Sequence, residues 1–249
     1  MKVQLQQGYI LKSMPYGETS LVLEVLSERH GRLGLLAKGA RRPRAPVRGC
    51  LVPFQGVLLS WTGRGELPVL TDAEPLGSEV AIRGEAFFAA CYVNELVLRL
   101  VARGGHPGAL FMLYRGCLDG LRDSVVEPSL RCFEKRLLDC LGFGIRWDRV
   151  RQGEVVVEAQ GWYRVEPEHG VVPAAEHDGV PGWALLDMAY DNWRAESLSW
   201  AFHVLRGILL YRLEGQGLRS GEMLRQLRRL TGQGQAGHAA PMTPQQPTA

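Results

Sequence analysis

The absences that say most about this chain concern cysteine and long apolar runs. The 249 residues include five cysteines, an odd number, with no C-x-x-C pair, so we predict reduced thiols rather than a disulfide framework. No run of about 18 apolar residues occurs, and the first residues lack the features of a signal peptide. We therefore expect a cytoplasmic protein that does not span a membrane.

Catalytic signatures are also missing. The sequence contains no G-x-x-x-x-G-K-[ST], no G-x-S-x-G and no H-E-x-x-H. Its six histidines include no pair spaced three or four residues apart, as a helical metal site requires. We predict a protein that is not an enzyme and that needs no cofactor or metal. The alternative, an active site assembled from distant residues of the helical part, would show itself as a nucleotide or metal requirement.

Charge is scarce overall but unevenly placed. The formal net charge is +3, yet residues 1–75 carry ten Lys or Arg against six Asp or Glu. Between Arg29 and Arg48 there are seven basic residues and no acidic one. The densest part is Lys38–Arg48, where glycine and proline disfavour regular helix and predict a loop. A run of positive charge without acidic neighbours is typical of a surface that binds polyanions, rather than of a solvated loop with no partner.

Five short stretches with alternating or β-branched residues predict strands before residue 76. Their turns contain glycine, which favours a small closed barrel. The predicted strands are Leu5–Ser13, Thr19–Ser27, Arg32–Ala37, Leu51–Trp61 and Leu67–Thr71.

Beyond Pro75 the apolar period changes from that of strands to that of helices. We predict helices over Glu85–Val101, Ala109–Leu121, a third from about Pro128 to Leu141, Ser197–Leu213 and Gly221–Leu230. The fold class is therefore α+β: a five-stranded OB-type β-barrel over 1–76, then an α-helical domain over 77–230. An irregular or β insertion is expected at 143–182. The last residues, 231–249, are rich in Gly, Gln, Pro and Ala and predict a disordered tail.

A small barrel with a basic loop favours nucleic acid as the ligand, because OB-type barrels commonly bind it across one face and its loops. Three aromatic residues on the strands or turns, Tyr16, Phe54 and Trp61, are either stacking platforms for bases or parts of the barrel core. The charge pattern alone leaves DNA, RNA and an acidic protein open.

Several segments, in order along the chain, resemble the RecO family of bacterial recombination mediators. The N-terminal landmarks are Pro15–Ser20 (PYGETS), Gly31-Arg32, Ala37–Arg41 (AKGAR), Pro53-Phe54, Gly63–Leu67 (GRGEL) and Ala73–Pro75 (AEP). The later landmarks are Tyr92–Leu96 (YVNEL), Leu130–Glu134 (LRCFE) through Leu141–Gly144 (LGFG), and Leu218–Arg225. Any one of them would be weak, but their order and number make the resemblance specific.

The resemblance implies binding of single-stranded and double-stranded DNA and annealing of complementary strands. It also implies that the chain, together with RecR, helps to load RecA onto DNA coated by single-strand-binding protein (SSB), whose acidic C-terminal tail the helical domain would contact. Such a protein would be associated with the nucleoid. The alternative is an OB-type RNA-binding module of ribosome assembly or RNA metabolism.

The sequence departs from the family pattern in two places. Many members carry a four-cysteine zinc site after the LGFG landmark, whereas residues 144–181 contain no cysteine here, so we predict no zinc. Many members also have a basic residue where Gly221 stands.

The candidate site residues follow from the basic loop and from the resemblance. The predicted DNA-binding residues are Lys38, Arg41, Arg42, Arg44 and Arg48, with Arg29, Arg32 and Arg64 as secondary candidates. Arg131 resembles the position proposed to meet the carboxylates of the SSB tail, and the other interpretation is an ordinary arginine on the helix surface. No catalytic residue is predicted.

Overall fold

A computed structural model describes residues 2–77, 81–151 and 153–230. Its contacts divide the chain into two compact units. The first runs from the N-terminus to Gly142 and includes Gly217–Leu224, whereas the second includes Phe143–Gln216 and the residues from Arg225 onward. The predicted domain limits at residues 76 and 230 stay predictions, and the tail predicted over residues 231–249 lies outside the described residues.

The N-terminal part folds into the five strands that the alternating pattern predicted. They are β1 (Lys2–Tyr16), β2 (Ser20–Ser27), β3 (Gly31–Ala37), β4 (Gly56–Thr62) and β5 (Val69–Pro75). Hydrogen bonds join them in the order β1-β2-β3-β5-β4, and β4 pairs back onto β1, so the sheet closes into a barrel. All neighbouring pairs are antiparallel except β3 and β5. The predicted fold class, an OB-type N-terminal domain followed by helices, is confirmed.

The barrel interior is filled by the inward side chains of every strand. On β2, Leu23 and Val25 are fully buried in this core, and Leu21 is partly buried against it. Register shifts in β1, at Ile10/Lys12 and Val3/Gln6, interrupt its pairing with β2 and β4. Bulges of this kind bend a strand and increase its twist, which helps a five-stranded sheet to close.

The connection between β3 and β4 is long because these strands are not neighbours in the barrel. Residues 38–55 make it, with a short 3-10 helix at Pro46–Gly49. The strand predicted from Leu51 starts only at Gly56, which corrects the predicted boundary. The reason is local: Pro53 lacks a ladder donor, and Phe54 has a left-handed φ of 68°.

Three helices complete most of the first unit. They are α1 (Gly84–Leu100), α2 (Ala109–Arg122) and α3 (Val126–Cys140). Their limits agree closely with the predicted ones. On α1, Ala89, Val93, Leu96 and Val97 are fully buried, whereas Phe88 and Tyr92 are only partly buried. Small residues face inward because α1 packs closely among other elements of the unit.

The outer side of β1 is the surface on which these helices pack. The Tyr9 ring lies 5.5 Å from the Phe111 ring and 5.1 Å from the Tyr114 ring. The Asn94 side-chain amide donates to the Leu11 carbonyl oxygen at 2.8 Å, and the Tyr114 hydroxyl donates to Asn94 Oδ1 at 2.6 Å. Every polar atom of this buried contact therefore has a partner, as a buried polar network requires.

A carboxylate on α1 caps the first turn of α6 (Arg219–Leu230). Glu95 accepts hydrogen bonds from the backbone amides of Arg219 and Ser220, at 3.1 and 2.9 Å, and from the Ser220 hydroxyl. Partial burial raises the pKa of the Glu95 carboxyl. The bonds from Ser220 and Arg219 and the positive charge of Arg99 outweigh this effect, so the pKa lies below its ordinary value.

The second unit contains the predicted insertion, which is ordered as a small sheet. Its strands are β6 (Trp162–Glu166), β7 (Gly170–Pro173) and β8 (Val180–Pro181), in the order β7-β6-β8. The helix α4 (Gly182–Ala189), which the sequence analysis missed, and α5 (Ala195–Arg212) follow. The valine run at residues 155–157 forms only one isolated bridge, between Val156 and Arg149.

Close packing around Tyr163 orders this sheet. The Tyr163 hydroxyl accepts a hydrogen bond from the Glu158 amide at 2.9 Å, and a Cβ added at Gly161 would lie 2.6 Å from that hydroxyl oxygen. A Cβ at Gly179 would lie 2.3 Å from the Tyr163 carbonyl oxygen. Residues 144–181 contain no cysteine. Tyrosine and glycine packing supports the fold in this segment.

Gly182, the first residue of α4, gives a test of that packing. A Cβ there would lie 1.9 Å from the Glu158 carbonyl oxygen. We expect Gly182→Ala to lower the free energy of unfolding by about 2–3 kcal/mol, as overpacking against a rigid neighbour does. Gly207→Ala is the control, because Gly207 lies on α5 with open space around it, and alanine there should stabilise by up to about 1 kcal/mol. Equal urea midpoints for the two variants would contradict the account.

Glu95 gives a test that depends on pH. Because its folded pKa is lowered, the stability it contributes is present above the unfolded pKa of about 4.3 and is lost as pH falls through the folded pKa. We expect Glu95→Gln to lower the free energy of unfolding by up to about 1 kcal/mol at pH 7, because the amide oxygen still accepts hydrogen bonds but lacks the negative charge that favours a helix N-terminus. As the pH falls below the folded pKa, the variant and the wild type should converge, since the protonated carboxyl resembles the amide. A difference that stays constant over this pH range would refute the capping role.

Candidate nucleic-acid interface

The basic loop, defined here as residues 38–49, begins where β3 ends. The five predicted DNA-binding cations lie on it, and all five side chains are exposed. The sequence predicted a loop here, and the structure confirms that this segment is neither strand nor α-helix. The structure thus brings together Lys38, Arg41, Arg42, Arg44 and Arg48 on one connection of the barrel.

Buried small and apolar residues hold this connection against the barrel core. Ala40 is 1% exposed, and Leu51, just beyond the loop, is 5% exposed, and both belong to the core cluster of the barrel. Val47 and Cys50 pack partly against the same cluster. These residues alternate with the cations along the sequence, so the backbone is held down while the charged side chains point to solvent.

Hydrogen bonds tie the loop to the turn between β1 and β2. The Arg41 amide donates to the Thr19 carbonyl oxygen at 2.8 Å, and the Arg41 guanidinium donates to the Gly17 carbonyl oxygen at 3.2 Å. The Gly39 amide donates to the Ser20 hydroxyl oxygen at 3.3 Å. The loop and the β1–β2 turn therefore form one hydrogen-bonded structure at the same end of the barrel.

Within the loop, three successive turns fix the backbone. The amides of Arg42, Ala45 and Arg48 donate to carbonyl oxygens three residues earlier, at 3.0 to 3.1 Å. Gly39 has a φ of 67°, a left-handed value that glycine adopts without strain. A loop ordered before binding loses less conformational entropy on binding, so more of the contact energy appears as affinity.

A groove of about 700 Å³ runs between the loop and β5. Lys38, Arg42 and Arg44 line it, together with one carboxylate, Asp72. The Asp72 side chain accepts a hydrogen bond from the Ala73 amide at 2.9 Å. The remaining lining residues are uncharged, so three cations and one carboxylate face this groove.

The three secondary cations are placed differently from one another. Arg64 is exposed in the turn between β4 and β5. Arg29 is exposed in the turn between β2 and β3, at the opposite end of β2 from the basic loop. Arg32 is largely buried, with its side chain 17% exposed.

Arg32 belongs to a buried cluster that the sequence analysis missed. Its Nε lies 3.1 Å from Glu24 Oε2, and its Nη1 donates to the carbonyl oxygens of both Leu98 and Val101, at 2.8 and 2.6 Å. Arg103 forms a second ion pair with Glu24. The sequence did offer one signal for this cluster. Glu24 is the single charged residue of β2, and a buried charge requires a partner.

The three candidate aromatic residues separate clearly by exposure. Trp61 is 3% exposed and belongs to the barrel core. Phe54 is 9% exposed, and its ring contacts that of Phe87 at 5.6 Å. Tyr16 is 58% exposed, so of these three it is the one whose ring faces solvent.

Arg131, the candidate for the SSB tail, is buried inside the first unit. Its side chain is 3% exposed and lies 3.0 Å from Glu134, whose carboxylate also accepts the Tyr92 hydroxyl at 2.6 Å. Burial alone would lower the pKa of Arg131. The negative charges of Glu134 and Glu127 outweigh this effect, so the pKa lies above its ordinary value. An ordinary surface arginine was therefore the wrong description, whereas contact with a partner's tail stays a prediction.

Three further findings concern metal binding, membrane spans and cysteines among the described residues. Within residues 2–77, 81–151 and 153–230, no three His, Cys, Asp or Glu side chains gather as a metal site would require. In the same part of the chain, no helix combines the length and the apolar character needed to cross a membrane. All five cysteines carry free thiols, with Cys117 the buried one.

A closed five-stranded barrel with an ordered, exposed basic loop is typical of the OB-type proteins that bind nucleic acid through its backbone. Comparison with known proteins agrees. The family model described as "Recombination protein O N terminal" matches residues 1–78, and the one described as "Recombination protein O C terminal" matches residues 83–222. The chain belongs to the RecO family, whose role lies in DNA repair and recombination.

Similar proteins cover nearly the whole chain. A DNA repair protein RecO of Thiobacillus denitrificans is 38% identical over 242 residues, which span 92% of this chain and 94% of that protein. One of Aromatoleum aromaticum is 39% identical over 234 residues, 92% of this chain and 98% of its own. One of Nitrosococcus oceani is 39% identical over 236 residues, which span 92% of this chain and 96% of that protein.

The Glu24 cluster predicts a structural role for Arg32. We expect Arg32→Ala to lower the free energy of unfolding by about 3 kcal/mol, because it leaves part of a buried carboxylate unpaired. The salt dependence of DNA binding should stay as in the wild type. Arg29→Ala is the matched control, since an exposed arginine in a turn should change stability by less than about 0.5 kcal/mol. Unchanged urea unfolding of Arg32→Ala would show that the cluster does not hold the unit together.

Proposed function

We propose that this chain is a recombination mediator that binds single-stranded and double-stranded DNA through the basic loop. The observation that carries the proposal is the set of five exposed cations on an ordered loop whose backbone is held by the barrel. We further propose that it anneals complementary strands and, with RecR, helps to load RecA onto DNA coated by SSB.

The binding energy would come from neutralised phosphates. Each phosphate that a cation neutralises releases condensed counterions and adds roughly −0.7 to −0.9 to the slope of log K against log salt. With four or five of the loop cations in contact, the slope would be about −3 to −4. Arginine suits this task because its planar group can donate two hydrogen bonds to one phosphate.

The same contacts predict little sequence preference, because the phosphate backbone carries no base information. They also give annealing a physical basis. Two strands held by one positive surface repel each other less, so complementary bases meet more often. No bond in DNA is made or broken in this process, and the proposed role therefore involves binding without catalysis.

The protein partners remain part of the proposal. Family membership supports an assignment to repair proteins, with RecR and the SSB tail as the partners that the resemblance implies. The tail carboxylates would need an accessible cation, and Arg131 could serve only if the partner reached its buried guanidinium. Such a protein would act on the nucleoid.

The test compares wild type with a variant in which Arg41, Arg42 and Arg44 are alanine, using a labelled single strand across a salt series. We expect weaker binding and a slope flatter by about two to three units, because three phosphate contacts are lost. The control variant replaces Arg83, Arg115 and Arg164, exposed arginines outside the barrel, by alanine. It removes the same net charge and should leave the slope nearly unchanged.

Two results would contradict the proposal. If both triple variants change binding equally, the loop has no special role and only the total charge matters. If structured RNA competes with the single strand at much lower concentration than DNA does, the RNA-binding alternative is favoured instead.

A further inference from the structure

Tyr16 is a large aromatic residue exposed at the end of the barrel that carries the basic loop. Its side chain is 58% exposed. Among the residues that the structure describes, none forms a hydrogen bond with its hydroxyl or a ring contact with its ring. Tyrosine supplies a rigid apolar face with a polar tip and is enriched where proteins bind partners. An exposed ring without contacts therefore calls for a ligand that can cover it.

The position of Tyr16 relative to the loop cations is fixed by the barrel. Tyr16 is the last residue of β1 and pairs with Ser20, the first residue of β2. The turn between them is the one to which the basic loop is hydrogen-bonded at Gly17, Thr19 and Ser20. The aromatic face and the cations therefore belong to one ordered structure.

Arg41 makes the closest link between the two features. Its amide and its guanidinium both bind the β1–β2 turn, and the guanidinium reaches the carbonyl of the residue directly after Tyr16. Gly17 itself has a φ of 57°, with nothing within 4 Å of an added Cβ. The turn is thus open to solvent at the residue directly after Tyr16.

We infer that the Tyr16 ring is a stacking platform for a base of the single strand whose phosphates the basic loop binds. The inference rests on the proposed function and adds a contact to the bases. A single strand presents both charged phosphates and flat unpaired bases, and proteins that bind it combine a basic groove with exposed aromatic rings. Stacking tolerates any sequence, because every base has such a face.

This contact distinguishes single-stranded from double-stranded DNA. In a duplex the bases are paired and stacked on one another, so the ring contributes to binding of the single strand alone. A base that pairs with its complement leaves the ring. After annealing, the duplex is held by phosphate contacts only and is released more readily than either strand.

The first test compares Tyr16→Ala with Tyr16→Phe on three probes of equal length: an oligothymidine, an abasic strand and a duplex. Tyr16→Ala should bind the oligothymidine about 5- to 100-fold more weakly, the usual effect of losing one base–aromatic stack. Binding of the abasic strand and the duplex should be unchanged. Tyr16→Phe should bind like the wild type, because stacking uses the ring and not the hydroxyl. Tyr190→Ala, which removes another exposed tyrosine, is the control.

The salt dependence separates this inference from the proposed function. Tyr16→Ala should lower log K by the same amount at every salt concentration, because stacking releases no counterions, whereas loss of the loop arginines flattens the slope. If Tyr16→Ala binds oligothymidine like the wild type, the stacking role is wrong and the phosphate site stands. If Tyr16→Ala weakens binding of the abasic strand equally, the substitution has disturbed the turn rather than removed a base contact, and the inference also fails. A wild type with no salt-dependent binding would overturn both.

A second measurement does not depend on any variant being well folded. Wild-type protein is irradiated with a strand that contains 5-iodouracil, and the crosslinked peptide is identified by mass spectrometry. The inference predicts a crosslink at Tyr16 that an excess of unlabelled single strand removes. Crosslinks that fall only on other aromatic residues would overturn it.

Discussion

Closure of the five-stranded barrel is the constraint on which the rest of the first unit depends. Because β5 lies between β3 and β4, the chain must cross the end of the barrel between residues 37 and 56. That crossing needs a long connection, and a long connection stays ordered only if some of its residues are buried. Ala40 and Leu51 meet this need, while the residues between them are free to be charged. The fold thus creates a place where cations can be dense and still held in position.

The same constraint joins the charged and aromatic features of the site. The β1–β2 turn lies at the end of the barrel that the connection crosses, and its carbonyl and hydroxyl groups accept the amides of the connection. The proposed phosphate binding and base stacking would therefore need no conformational change to act together. The Glu24 cluster lies elsewhere, where Arg32 joins β2 and β3 to the end of α1.

Much of this architecture could be predicted from local patterns. Alternating residues over Thr19–Ser27 predicted a strand, and the glycine and proline of Lys38–Arg48 predicted the loop, because both signals act over a few residues. Burial by distant elements could not be predicted in the same way. Arg131 and Arg32 look like surface cations in sequence, yet their partners, Glu134 and Glu24, bury them. Exposure of Tyr16 and burial of Trp61 likewise depend on where the strands end and on what covers them.

Hydrogen exchange of the full chain, measured with and without a single-stranded oligonucleotide, tests the central claim most directly. The account predicts that DNA slows exchange in the basic loop, residues 38–49, and in the β1–β2 turn, with little change in the sheet of the second unit. Slower exchange elsewhere, with the loop and the turn unchanged, would contradict the claim that this end of the barrel holds the DNA.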